Sequence, residues 1–122
     1  MSQWFFVALG GAIGAILRGL IQHGLEQLTH NFPLGTFTVN ALGCFLAGLF
    51  IPFWPLWSAG VKAFIITGFL GALTTYSSFA VDFVNLFTGQ KTTVGFSYLG
   101  LTIVLCIGLC FLGYSLGQKL AT

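Results

Sequence analysis

The sequence predicts an all-α integral membrane protein with four transmembrane helices. Of the 122 residues, 57% are apolar and only 5% are charged, whereas about 25% are charged in an ordinary soluble domain. A soluble fold of this composition would expose apolar patches large enough to aggregate. The apolar residues form long runs without the two-residue alternation of a transmembrane β-barrel. Because each spanning helix needs about 20 apolar residues, four helices fill most of the chain as one domain, residues 1–122.

The four runs are separated by polar and helix-breaking residues. A polar link follows the first run, and the second run begins after Pro33. Pro52 and Pro55 end the second run, since proline cannot continue a helix. A short link with Gly89 and Lys91 separates the third and fourth runs. The expected helices cover about 4–21, 34–51, 62–87 and 94–116.

The third helix is expected to be broken in its middle. Gly68 and Gly71 lie there, followed by four Ser and Thr residues between Thr74 and Ser78. Glycine destabilises a helix interior by about 1 kcal/mol, and Ser and Thr hydroxyls compete for backbone hydrogen bonds. We therefore expect an interruption over residues 71–75. Freed carbonyl groups at membrane depth are suitable ligands for a small hard cation.

The positive charges give the chain no strong preference for one orientation in the membrane. Lys62 and Lys119 fall on the side of the N-terminus, and Arg18 and Lys91 fall on the opposite side. Because Lys and Arg residues keep loops cytoplasmic, such an even split favours insertion both ways. Two copies in opposite orientations would then form an antiparallel, dual-topology homodimer.

Two helices each carry one polar stripe. Thr36 and Asn40 share a face of the second helix at a spacing of four residues. Tyr98, Thr102 and Cys106 repeat at the same spacing on the fourth helix. A primary amide at membrane depth must find hydrogen-bond partners. The stripes therefore indicate either polar contacts between helices or donors that face a polar pathway.

The first helix carries a row of small residues that ends in a charge. Gly10, Gly14 and Arg18 follow one another at a spacing of four residues, and small residues allow close helix packing in membranes. A buried guanidinium is expensive in a membrane and is often functional. The alternative is that Arg18 extends to the membrane interface.

The polar groups of the spans are mainly hydrogen-bond donors, which suits an anion. Asp82 is the one acidic candidate within a span, and it lies near the membrane edge. Tyr76 and Phe79 lie three residues apart on one helix face, and the edges of their rings are electropositive. A narrow path lined in this way would suit a small anion.

The sequence gives no support for an enzyme. It has no nucleophile paired with a histidine base, no paired carboxylates and no phosphate-binding loop, and we expect no organic cofactor. The net charge of +2 is too small for a nucleic-acid-binding surface. Cys44, Cys106 and Cys110 lie in apolar runs and are interpreted as buried packing thiols, with Cys106 and Cys110 on one helix face.

Three motifs resemble those of the Fluc-type fluoride channels, also called CrcB-like proteins. They are GAIGAILR at residues 11–18, PLGTFTVNALG at residues 33–43 and GFLGALTTYSSF at residues 68–79. The resemblance covers essentially the whole chain and has the same order of four spans. It implies a fluoride-selective channel in a bacterial plasma (inner) membrane, built as an antiparallel homodimer with two narrow pores, through which fluoride leaves the cell down its gradient.

The resemblance also assigns roles to particular residues. It implies that Arg18 lies near a pore vestibule. It implies that the backbone carbonyls of Gly71 and Thr74, from both subunits, bind one structural sodium ion at the dimer centre. The expected pore residues are Asn40, Thr36, Tyr76, Phe79, Tyr98, Thr102 and Cys106.

Three residues depart from the family pattern. Tyr76 stands where a phenylalanine is usual, Cys106 where serine or threonine is common, and Asp82 where glutamate is more usual.

Two other functions compete with the channel. A small dual-topology multidrug transporter would need a carboxylate inside the first span, and the first run has none. A non-transporting membrane assembly subunit would explain the small-residue row but not the aligned donors.

Overall fold

The computed structural model describes residues 2–122 and contains four helical spans that are long and apolar enough to cross a membrane. The first is α1 (Ser2–Glu26). The second consists of α2 (Leu34–Phe50) and a 3₁₀ turn (Ile51–Leu56). The fourth is α6 (Thr92–Ala121). The prediction of an all-α chain with four spans is confirmed.

The third span, Ala59–Thr88, is built from several pieces. Short helix α3 (Ala59–Lys62) leads into a π-helical segment (Ala63–Leu70) and then into α4 (Gly71–Leu73). Thr74 and Thr75 are both extended, and helix α5 (Tyr76–Thr88) begins after them. The interruption lies within the expected residues 71–75 and is confined to two threonines.

Several helices extend beyond the expected ends. α1 continues through Gln22 and His23 to Glu26, which the sequence had placed in a polar link. Hydropathy had set that boundary, but Gln22 and Glu26 are good helix formers. In the second span, the chain passes Pro52 as a 3₁₀ turn rather than stopping. The third span begins at Ala59, where the Ser58 hydroxyl accepts a hydrogen bond from the Val61 amide at 3.3 Å.

Close backbone contacts hold the spans together. No side chain would fit between Gly10 and the carbonyl of Phe64, or between Gly14 and the carbonyl of Phe69. The small-residue row of α1 therefore lies directly against the π-helical segment, as expected for helix packing in a membrane. α2 and α6 meet in the same way, with Gly48 against the carbonyl of Cys110.

The outer surface is strongly apolar, and few apolar side chains are buried. On α6, Val104 is 72% exposed and Phe111 is 69% exposed. The largest side chains that are fully buried belong to Tyr98, Leu73 and Val39. A surface of this kind is suited to lipid or to another apolar protein surface and not to water.

Candidate functional site

One cavity brings together five of the seven residues that the sequence singled out as pore residues. The cavity has a volume of about 340 Å³ and is called the inner cavity below. The five residues are Asn40, Tyr76, Phe79, Thr102 and Cys106. They come from α2, α5 and α6, so the two polar stripes and the broken span meet at one place. Thr74, Thr75 and Cys44 also line this cavity.

Asn40 binds the interrupted backbone of the third span. Its Nδ2 donates to the carbonyl oxygen of Thr75 at 3.0 Å, and its Oδ1 accepts from the Thr75 amide at 2.8 Å. The side chain is 6% exposed. A primary amide has two N–H donors, so one N–H is left after the bond to Thr75. The contact between helices, one of the two interpretations of the α2 stripe, therefore applies to Asn40, and the role as a donor on a polar pathway stays a prediction.

Thr102 lines the inner cavity and carries a buried, unsatisfied hydroxyl. Its side chain is 7% exposed, and its Oγ1 is buried without a hydrogen-bond partner among residues 2–122. Most buried polar atoms in proteins are hydrogen-bonded, and an exception calls for an explanation. A ligand that came within reach of Oγ1 would supply one.

The aromatic residues form a continuous series of edge-to-face contacts through a buried tyrosine, Tyr98, which packs on Phe32 on its other side. The rings of Tyr76 and Phe79 meet edge to face with centroids 5.8 Å apart, and those of Phe79 and Tyr98 with centroids 5.2 Å apart. Tyr98 has no exposed surface, and its hydroxyl donates to Asp82 Oδ2 at 3.2 Å. Tyr98 thus connects the aromatic series to Asp82.

Two further cavities, which adjoin each other, open at the end of the bundle where α1 ends and α2 begins. These adjoining cavities have volumes of about 340 and 290 Å³ and share Glu26, Thr36 and Asp82 in their walls. Together they are called the outer cavity below. Thr36, the sixth expected pore residue, lies here and accepts a hydrogen bond from Gln22 Nε2 at 3.2 Å.

The sequence did not identify Gln22 and Glu26 as members of this site. Their signal was present, because both lie on the face of α1 that continues the Gly14 and Arg18 row by steps of four residues. Arg18 itself is half-buried, and its Nε is buried without a partner among residues 2–122. Its place near a vestibule stays a prediction.

The three thiols lie in two different places. Cys106 and Cys110 are four residues apart on α6, but Cys106 lines the inner cavity together with Cys44 of α2. Cys110 lines a separate apolar pocket with Ile51 and Tyr114. Helix periodicity finds neighbours along one helix, and it does not show which residue of another helix comes closer.

The interruption of the third span changes the hydrogen bonding of two carbonyl groups. In a regular helix the amide of residue i donates to the carbonyl of residue i−4. The Thr75 amide would thus serve Gly71, but it donates to Asn40. The Ser78 amide would serve Thr74, but it donates to the Thr75 hydroxyl at 3.1 Å. The carbonyls of Gly71 and Thr74 therefore lose their usual helical donors.

The sequence profile of one protein family, described as CrcB-like protein, Camphor Resistance (CrcB), matches residues 5–114. A protein of Rhizobium etli (strain CIAT 652) named fluoride-specific ion channel FluC is 37% identical, covering 99% of this chain and 100% of that protein. A protein of the same name from Aeromonas salmonicida is 39% identical over 95% of this chain and 96% of its own length. A third, from Desulfotalea psychrophila, is 37% identical, with 93% and 90% covered. With a profile match across its four spans and relatives of its own length, the chain belongs to the CrcB-like protein family.

Proposed function

We propose that this multi-pass cell-membrane protein is a fluoride-selective ion channel that lets fluoride leave the cell down its gradient and so lowers cytoplasmic fluoride. The observation that carries the proposal is the inner cavity, which is lined both by Asn40 and by Thr102, whose buried hydroxyl has no partner among residues 2–122. The relatives named above are fluoride-specific ion channels.

The chemistry of the inner cavity favours an anion over a cation. Among the described residues, those that line it include an amide, hydroxyls and two thiols but no carboxylate and no amine. An ion that leaves water needs groups that replace its hydration shell. Fluoride is the most strongly hydrated halide, so a donor-lined path favours it when the donors hold it closely. The ring edges of Tyr76 and Phe79 add weak positive potential beside the path.

The geometry gives less support to the two competing functions. A proton-coupled multidrug transporter needs an embedded carboxylate in its first span, but Glu26 is the last residue of α1 and lies in the outer cavity. An assembly subunit would have no use for an unpartnered buried hydroxyl at Thr102. The proposal therefore describes an ion channel and not an enzyme.

Fluoride efflux from liposomes tests the proposal. The purified chain is reconstituted into vesicles loaded with potassium fluoride or potassium chloride, and efflux is started with a potassium ionophore. We expect rapid fluoride loss and chloride loss no faster than from protein-free vesicles. Equal rates for the two ions would contradict the assignment.

We propose in addition that the carbonyls of Gly71 and Thr74 hold a structural sodium ion at the centre of a dimer. Both carbonyls lose their helical donors at the interruption, and carbonyl oxygen is a ligand that suits a hard cation. Gly71 is exposed on the surface of the single chain, so a second copy could reach it. When bound, the ion would supply positive charge that holds the two interrupted spans together.

An antiparallel, dual-topology homodimer is part of the same proposal. The even split of Lys62 and Lys119 against Arg18 and Lys91 supports it. The ring of Tyr76 also supports it, because it is 81% exposed although it borders the inner cavity. Variants with added lysines that force one orientation should transport only when the two opposite forms are produced together. Full transport by one forced form alone would contradict dual topology.

A further inference from the structure

Cys44 of α2 and Cys106 of α6 line the same cavity beside the contact between these two helices. The contact is close, because Gly48 lies against the carbonyl of Cys110 with no room for a side chain. One helical turn before these two residues come Cys44 and Cys106, and both of them line the inner cavity. The two thiols therefore belong to different helices that are held together at backbone distance.

Both thiols lie in the wall of the inner cavity and have a polar neighbour without a partner. Cys44 and Cys106 line the cavity together with Thr102. Cys106 is 8% exposed and Thr102 is 7% exposed, and the Thr102 hydroxyl is buried without a hydrogen-bond partner among the described residues 2–122. The cavity volume of about 340 Å³ leaves room for an ion beside the sulfur atoms.

The ligand types select one class of metal ion. Structural zinc usually takes four ligands, and no group of three or more His, Cys, Asp or Glu residues within 2–122 could hold a metal ion. Soft metal ions prefer thiolate sulfur, and those with a filled d shell accept two ligands in a line. A cavity wall with two thiols and no carboxylate among the described residues matches this class.

We propose that Cys44 and Cys106 form a two-thiol site for a soft, two-coordinate metal ion such as Hg²⁺, Ag⁺ or Cu⁺, and that an ion bound there blocks the inner cavity. With Hg²⁺ the two thiols each release one proton and two S–Hg bonds form. The product is neutral, and neither sulfur nor mercury changes oxidation state. The blocking half of this proposal rests on the proposed channel function, whereas the binding half does not.

The binding half is tested by retention of Hg²⁺ in the full purified chain. Protein is treated with one equivalent of Hg²⁺ and washed with a monothiol, which displaces mercury held by a single thiol more readily than mercury held by two. We expect the wild type to retain one Hg²⁺ per chain and to leave one of its three thiols open to maleimide. Cys44→Ala and Cys106→Ser should each lose the ion in the wash. Cys110→Ala is the matched control, because Cys110 lines a different pocket, and it should retain the ion.

Loss of the ion from the wild type, or its retention by Cys44→Ala, would overturn the site.

Fluoride efflux tests the blocking half, with each variant compared with its own untreated rate. After mercury treatment and the wash, the wild type and Cys110→Ala should lose at least 90% of their fluoride efflux. Cys44→Ala should keep the efflux rate that it has without treatment. Retained mercury with unchanged efflux would overturn the block and leave the site standing. If untreated wild type moves no fluoride, the proposed function fails, and mercury retention still decides the site.

Discussion

Replacing the hydroxyl of Thr102 separates a role in the ion path from a role in folding. Thr102→Val exchanges the hydroxyl for a methyl group of nearly the same shape. The variant loses no hydrogen bond within residues 2–122, because Thr102 Oγ1 has no partner there. It also removes a buried unsatisfied polar group, whose cost is about 1–3 kcal/mol. We expect the free energy of unfolding to stay unchanged or to rise.

The rate of fluoride transport by Thr102→Val should fall. A hydrogen bond to a charged partner contributes about 1.5–3 kcal/mol, and each 1.4 kcal/mol corresponds to about a factor of ten. Fluoride that passes the inner cavity without the Thr102 donor should therefore cross it about 10- to 100-fold more slowly. A structural role cannot produce slower transport together with equal or greater stability.

The assay measures fluoride efflux from liposomes beside thermal unfolding in detergent. Thr67→Val is the matched control, because Thr67 lies exposed on the third span, and it should keep the wild-type rate. Wild-type efflux by Thr102→Val would refute the role of the hydroxyl. Slower efflux that comes with a lower unfolding temperature would refute the reasoning from the missing partner.

Three further changes test neighbouring parts of the account. Asn40→Leu leaves the amide and the carbonyl of Thr75 without partners, so thermal unfolding should show a loss of about 2–5 kcal/mol together with loss of efflux. In Gly71→Ala the added Cβ would lie 3.7 Å from Ile66 oxygen, so the single chain should accept it. Size-exclusion chromatography should nevertheless show that the proposed dimer is weaker, and efflux should fall. Wild-type efflux should fall in the same way when N-methylglucamine replaces sodium. Gly108→Ala should change neither the dimer nor efflux. The Tyr76 ring packs edge to face on Phe79, so Tyr76→Phe should keep fluoride efflux, whereas Tyr76→Ile should slow it about 2- to 10-fold through loss of the ring edge.

The spans and the broken helix could be predicted because they depend on local composition. Runs of apolar residues define membrane helices, and the glycine and hydroxyl residues of the third run indicated where its hydrogen bonding fails. The helix ends were less accurate. Hydropathy marks where a helix leaves the membrane, and α1 continues as a helix beyond that point to Glu26.

The side-chain partners could not be predicted in the same way. The stripe of Thr36 and Asn40 indicated a polar face, but not that Asn40 binds both backbone groups of Thr75, which is 35 residues away in the chain. Nor did helix periodicity indicate that Cys106 of α6 lines the same cavity as Cys44 of α2. Such pairings depend on the relative positions of helices, which are set by close contacts between glycines and the backbone of a neighbouring helix.

The reversal potential of the purified protein in a planar bilayer tests the central claim most directly. With unequal fluoride and equal chloride on the two sides, a fluoride channel gives a current that reverses at the equilibrium potential of fluoride. When fluoride is then made equal and chloride unequal, the current should reverse at zero, which is the equilibrium potential of fluoride under those conditions. A reversal potential that follows the chloride gradient, or fluoride movement that carries no current, would contradict the account of a fluoride-selective channel.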